Sequence, residues 1–218
     1  MNPAPAIIFD LDGTLIDSVP DLQAAVNRML AKEGMAPMDR AEVQGFVGNG
    51  APVLVERVMK ARGLDIARHA ELTEQLIADY TDRSAELTQV YPNVGTTLST
   101  LRGMGHPLGI CTNKPGAATA SVLAELKLDA YFDCVIAGDT LSAKKPHPAP
   151  LHAARDALAA TRCLYVGDSE VDAQCAAAAG ICFAFFSEGY LRVPREQIAF
   201  TAEFSDFAQL PGLVARLF

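Results

Sequence analysis

The feature that most constrains this chain is an apolar run ending in two carboxylates, Ala6-Ile7-Ile8-Phe9-Asp10-Leu11-Asp12-Gly13-Thr14. Successive apolar residues without polar alternation predict a strand covered on both faces, as in a parallel sheet. In an extended chain, side chains at i and i+2 point the same way. Asp10 and Asp12 are therefore expected to crowd one spot beyond the strand's C-terminal end, where open α/β sheets place their ligands. Carboxylates held that close repel unless a cation sits between them, and the pattern invites Mg2+. On these residues alone an Asx-type turn is the competing reading, since Asp and Gly are common turn formers.

A second apolar run, Pro107-Leu108-Gly109-Ile110-Cys111, also turns polar at its end, Thr112-Asn113. Roughly 95 residues separate the two runs, and structureless loops beyond about 15 residues are uncommon, so the interval must fold. From Val19 to Leu87 the periodicity is helical, with no convincing strand. Helices are expected over about Pro20–Lys32, from Gly50-Ala51-Pro52 onward, and over about Ile66–Glu86, with Pro near the starts and Gly34 and Gly63 past the ends. Residues 17–89 are thus expected to form an all-helical cap inserted into a core of residues 1–16 and 90–218. Its hinges would lie near Leu15–Ser18 and Thr88–Pro92. An insertion this small has a marginal core unless it packs on the main body.

From Tyr91 onward helix and strand alternate. Helices are expected over about Val94–Met104, Gly116–Leu126, Pro148–Ala159, Glu170–Ala179 and Asp206–Leu217, and strands at Cys134–Ala137, Leu164–Gly167 and Ile181–Phe186. That order predicts an α/β fold, a Rossmann-like parallel sheet sandwiched by helices.

Composition enters as a set of exclusions. Half of the 218 residues are hydrophobic, enough for a sizeable core. A net charge of −8 argues against nucleic acid or an anionic membrane as partner, while a local positive pocket can still take a small anionic substrate. No apolar stretch approaches the ~20 residues that span a bilayer. The lead Met1–Pro5 lacks the basic start and apolar core of a signal peptide. Cys111, Cys134, Cys163, Cys175 and Cys182 follow neither disulfide-framework nor zinc spacing and read as reduced core thiols of a cytoplasmic protein. Monomer and homodimer both remain open.

If the sheet is parallel, its strand ends share one edge. Asp10 and Asp12 then meet Thr112 and Asn113, the segment Ser142-Ala143-Lys144-Lys145-Pro146-His147-Pro148, and the run Val166-Gly167-Asp168-Ser169-Glu170-Val171-Asp172. Backbone N–H groups over Thr112–Lys114, just before the helix opened by Pro115, are candidates to hold an anion. Separately, Thr112 could be a bland strand end, Lys145 a solvated loop charge and Asp168-Ser169 an ordinary helix cap. Together, carboxylates, a hydroxyl, helix-start amides and a lysine describe a phosphate site.

These four pieces, Asp10-Leu11-Asp12-Gly13-Thr14, Thr112-Asn113, Lys145-Pro146 and Gly167-Asp168-Ser169-Glu170-Val171-Asp172, resemble the motifs of the haloacid dehalogenase superfamily of phosphatases. The resemblance covers nearly the whole chain, including a helical cap after the first motif. Within the superfamily, Phe46–Arg57 and Ala143–Pro148 look most like the bacterial phosphoglycolate phosphatases. The resemblance implies that Asp10 attacks phosphorus and that Asp12 protonates the leaving oxygen and then activates water. It implies Mg2+ on Asp10, Asp168 and the carbonyl of Asp12, with Thr112, the Asn113 amide and Lys145 on the phosphoryl oxygens. Asp172, one helical turn past Asp168, and Ser169 would orient these groups. Of the neighbours Lys144 and Lys145, the family pattern selects Lys145, the one touching proline.

The cap loop Gly48-Asn49-Gly50 is either a helix–helix turn or a lid whose backbone N–H groups meet a small carboxylate. It follows a helical stretch and lacks a third glycine, so it is no dinucleotide fingerprint. From Phe46 to Val55 there is no cationic side chain, where a β-phosphoglucomutase-like phosphotransferase would be expected to hold a second phosphate. That absence favours a small monophosphate, and the resemblance implies 2-phosphoglycolate, with a sugar phosphate as the alternative. Arg57 is the nearest cation, on what reads as a solvated helix face. His147 could line the mouth of the site, whereas His69, His106 and His152 read as surface or packing residues. A dehalogenase proper would lack the acid at position 12, and a catalytically silent binding module would not need nucleophile, acid and lysine intact.

Overall fold

The computed structural model describes residues 4–83 and 85–218; the lead Met1–Pro5 therefore lies mostly outside it, as does Ser84 within the expected third helix. The sheet is built from β1 (Ala6–Phe9), β4 (Leu108–Cys111), β5 (Cys134–Ile136), β6 (Cys163–Gly167), β7 (Cys182–Phe186) and β8 (Ala202–Phe204). Its order is β5-β4-β1-β6-β7-β8, and every pairing is parallel. After β1 the chain extends the sheet on one side through β4 and β5, then crosses to the other side with β6. The C-terminal end of β1 is therefore the switch point, which opens a crevice for ligands.

Period-two alternation explains how so short a strand anchors both layers. Ile7 and Phe9 enter one core with Leu98 and Leu101 of α5 (Val94–Gly103), Val122 of α6 (Gly116–Glu125) and Leu213 of α9 (Leu210–Leu217). Ala6 and Ile8 enter the other, with Leu151 and Ala154 of α7 (Ala149–Ala157) and Ala173 and Ala176 of α8 (Glu170–Ala179). The expected main-body elements fall within two residues of their observed ends, except the last helix, whose first turn is a 3-10 turn at Phe207–Gln209.

Between β1 and β4 the chain leaves through β2 (Ile16–Asp17) and returns through β3 (Gln89–Val90), which pair antiparallel. The intervening helices are α1 (Val19–Lys32), α2 (Arg40–Gln44), α3 (Ala51–Arg62) and α4 (His69–Thr81). They share a core of their own around Val26, Leu30, Val55, Met59 and Leu72, to which the main body adds Ala118 and Tyr190. The third expected helix stops at Thr81 rather than Glu86, and its first three residues form a 3-10 turn. Buried Asp21 joins the two connecting segments by accepting the Leu87 and Thr88 N–H groups and the Thr88 hydroxyl, the last at 2.6 Å. Two- and three-residue strands such as β2, β3 and β8 are too short to carry a periodic signal. Among the described residues no helix is long and apolar enough to cross a membrane. The cysteines are free, and Cys182 is exposed rather than part of the core.

Candidate active site

β1 delivers Asp10 to the switch point, and β6 delivers Asp168 beside it. The Lys145 ammonium lies 2.9 Å from Asp10 Oδ2 and 2.7 Å from Asp172 Oδ1, and donates to the Tyr165 hydroxyl at 2.8 Å. Lys145 is buried, whereas Lys144 is exposed. Desolvation works against the Lys145 charge, but Asp10 and Asp172 outweigh it and hold the pKa above the ordinary lysine value. Ser169 caps α8 and, through its hydroxyl, donates to Asp172 Oδ2 at 2.6 Å. Burial opposes the Asp172 charge too, yet Lys145, Ser169 and Tyr165 together keep its pKa below the usual carboxylate range. Asp172, itself held by Ser169, thus fixes the Lys145 ammonium in place.

Asp10 and Asp168 differ from Asp172: among the described residues Asp10 keeps one oxygen without a hydrogen bond, and Asp168 is hydrogen-bonded only by the neutral Thr14 hydroxyl and Tyr190 N–H. Burial chiefly, with the Asp172 charge adding and Lys145 opposing, pushes Asp10 up to about 7. Asp168 is pushed well above its ordinary value by burial and then by the charges of Asp172 and Asp10. It accepts from the Thr14 hydroxyl at 2.6 Å and the Tyr190 N–H at 2.7 Å. Gly13 turns past it at φ +84°, and a Cβ there would collide with the Asp168 carboxylate and the Tyr190 ring. Asp10, Asp168 and Asp172 each offer an oxygen within 4.8 Å of the others. Asp10 Oδ1 is buried without a hydrogen-bond partner. An all-oxygen donor set carrying excess negative charge, with one orphaned oxygen, fits a hard divalent cation. Because Lys145, Tyr165 and Ser169 already occupy Asp172, the side chains best placed to hold such an ion are Asp10 and Asp168.

Asp12 is expected to serve an ion through its backbone carbonyl, and its side chain lies outside the acidic cluster. Its carboxylate turns away from the acidic cluster to Lys114, with Nζ 2.9 Å from Oδ1, so only its backbone carbonyl is left to serve an ion. The expected row of anion-binding amides is also mostly engaged. Thr112 N–H donates to Ile136 O at 2.9 Å, and Lys114 N–H to the Thr112 hydroxyl at 3.3 Å. The Asn113 side chain clamps Lys145, accepting its N–H at 2.9 Å and donating to its carbonyl at 3.0 Å, and reaches Gly48 O at 3.2 Å.

A cavity between the main body and the helical insertion runs from Asp10 and Asp12 past Thr112, Asn113 and Lys114 to Leu54, Leu76, Ile77 and Tyr80. Gly48 and Gly50 line it, and Gly50, at φ +86°, packs so close to Asn113 O that a Cβ would be crowded. Asn49 does not line the cavity. Its side-chain oxygen accepts from Arg57 at 2.9 Å and from Arg192 at 2.8 Å, so the loop is tied down by its middle residue rather than offering it to a ligand. Arg192 in turn pairs with Glu170. Arg57 is not a solvated charge: it also donates to Phe46 O, and desolvation, with Arg192 adding, lowers its pKa. His147 is exposed, accepts from Ala149 N–H and stays outside the cavity, while His69, His106 and His152 each hydrogen-bond a backbone carbonyl.

Sequence reasoning missed Lys114, Tyr80, Tyr165 and Arg192. Lys114 follows directly on a motif, where the sequence points only to its backbone N–H. Tyr165 sits inside an apolar strand and reads as core. Tyr80 and Arg192 carry no local signal, because only the tertiary fold brings them near the site.

A parallel sheet whose switch point carries a buried lysine among three aspartates is the framework of a hydrolase acting on phosphate esters. The sequence matches the family model for haloacid dehalogenase-like hydrolases over residues 7–186. It is 48% identical to a phosphoglycolate phosphatase of Cereibacter sphaeroides, covering 98% of this chain and 99% of that protein. A phosphoglycolate phosphatase of Rhodobacter capsulatus is 42% identical, with 97% of each covered. The crystal structure of a predicted phosphoglycolate phosphatase from Haemophilus somnus superposes with a TM-score of 0.91 at 30% identity, covering 98% of this chain and 99% of that one. The chain belongs to the haloacid dehalogenase-like hydrolases, and it is a phosphatase of that family.

Proposed function

We propose that the chain is a Mg2+-dependent phosphomonoesterase that removes phosphate from 2-phosphoglycolate through an aspartyl-phosphate on Asp10. The single observation that carries this reading is the unpartnered Asp10 Oδ1 beside the Asp10–Lys145–Asp172 chain. Of the two Asp10 oxygens, one then meets the ion and the other attacks phosphorus, with the lysine beside the carboxylate to hold it in place. Lys145, the Thr112 hydroxyl and the Asn113 backbone N–H hold the phosphoryl oxygens as charge redistributes. Asp12, half-buried next to Asp10, gives a proton to the leaving alkoxide and takes one from the water that cleaves the acyl phosphate. Mg2+, held by Asp10, Asp168 and the Asp12 carbonyl, would supply charge neutralisation between carboxylates and phosphate.

Residues 17–89 act as a cap over the core of 1–16 and 90–218, hinged at the β2–β3 ribbon. The narrow, largely apolar wall supports a small leaving group, and the similarity to phosphoglycolate phosphatases supports glycolate. Free cysteines support a cytoplasmic location. A phosphate-release screen over small phosphorylated acids, sugars and nucleotides, with Asp10→Asn as control, tests the reading. 2-Phosphoglycolate should give the highest kcat/KM, and a sugar phosphate turned over as well would overturn the substrate assignment.

A further inference from the structure

The site contains a second buried ammonium that the mechanism above does not use. Lys114 is 5% exposed, and its Nζ is 2.9 Å from Asp12 Oδ1, 2.6 Å from the Tyr80 hydroxyl and 4.3 Å from the centre of the Tyr80 ring. It lines the cavity, whose apolar lining includes Leu22, Val47, Leu54, Leu76 and Ala118. Desolvation works against its charge, but Asp12 and Tyr80 outweigh it, so the ammonium form persists.

We propose that Lys114, backed by Tyr80, sets specificity by receiving an anionic group of the leaving alcohol, placed one carbon from the ester oxygen, as the carboxylate is in 2-phosphooxy acids. This rests on the phosphatase reading and narrows it. Three observations support it. First, an ammonium has three donors, and Asp12 and Tyr80 take two of them. Lys145 differs in being enclosed by Asp10, Asp172 and Tyr165, all within 2.9 Å. Second, Asp12 is the residue that meets the ester oxygen. A cation in contact with Asp12 is therefore within reach of a group separated from that oxygen by a single carbon. Third, much of the cavity wall is apolar, and a buried ammonium there discriminates between substrates, because one without the anionic group leaves its third donor unpaired. Tyr80 belongs to α4 of the insertion, so this contact is complete only when insertion and main body close on one another.

The test compares kcat/KM for 2-phosphoglycolate with that for 2-hydroxyethyl phosphate, in which the carboxylate is replaced by an uncharged hydroxymethyl group. Lys114→Met should slow both esters, since Asp12 loses its partner. The ratio between the two should fall a further 10- to 100-fold, the size of one lost charge-assisted hydrogen bond. Lys114→Arg, which keeps the charge, should retain part of the ratio. An equal fall on both esters in Lys114→Met assigns the lysine to Asp12 alone and overturns the proposal. If Lys114→Met does not fold, Tyr80→Phe decides: it should lower the ratio roughly 3- to 10-fold, as loss of a single hydroxyl contact does, and an unchanged ratio overturns the proposal. If the unmodified protein shows no preference for the carboxylate ester, the phosphoglycolate reading fails instead, whatever the variants do.

Discussion

Lys145 and Lys114 are both almost fully buried ammoniums, and each pairs with one carboxylate of the first motif, yet their surroundings differ. Lys145 is held entirely by the sheet body: Asp10 from β1, Tyr165 from β6 and Asp172 from α8. Lys114 bridges the main body to the insertion through Tyr80 and faces an apolar cavity. The phosphate end of the site is therefore fixed by the fold itself, whereas the leaving-group end is assembled between two packed units. The proposed mechanism puts chemistry at the first end and substrate choice at the second.

That contrast predicts a graded series of effects. The largest belongs to the phosphate end: Asp10→Asn or Lys145→Ala should cut kcat by at least about 1,000-fold on every ester, since nucleophile or charge clamp is gone. An ester dependence of that loss would blur the division between the two ends. Next, Asp172→Ala leaves Lys145 without its α8 partner. Breaking a buried pair costs about 3–5 kcal/mol, so thermal unfolding should shift down while the protein still hydrolyses esters slowly. A change in melting temperature too small to detect would show that Lys145 does not depend on Asp172.

The third effect concerns pH. Asp10 is raised from 3.8 to about 7, and Asp168 is raised as well, so the metal-free folded protein binds more protons than the unfolded chain in that window. Its stability should fall as pH rises through that window, by up to ~1.4 kcal/mol per unit for each group, and Mg2+ should flatten the slope. Urea unfolding at several pH values checks this, and the same slope with and without Mg2+ would contradict it. The smallest effect belongs to the cap loop. Arg192→Ala frees Asn49 and Glu170, and should raise KM about 3- to 10-fold with little change in kcat, on the scale of one or two partly exposed hydrogen bonds. A fall in kcat equal to the rise in KM would place Arg192 with the chemistry instead.

The legibility of these two ends from sequence follows the same division. Strand ends on a parallel sheet meet by construction, so Asp10, Thr112, Lys145 and Asp168 could be assembled from the order of elements alone. Lys145 could be separated from Lys144 only through the family pattern, and burial now supplies the physical reason. The cavity wall was not legible. Tyr80 and Lys114 meet because α4 packs on α6, and no spacing within one helix encodes that contact. The anchoring of Asn49 was not legible for a related reason: its side-chain oxygen is held by Arg192, 143 positions away.

The account depends on phosphorus passing through Asp10. Asp12→Asn should spare attack on an aryl phosphate, whose leaving group needs no proton, but should slow hydrolysis of the acyl phosphate, which does need Asp12. Quenching that variant in acid during turnover of an aryl phosphate and weighing its peptides by mass spectrometry should find phosphate on the peptide that contains Asp10. Phosphate release from the aryl ester with that peptide unmodified at every time point would contradict the account.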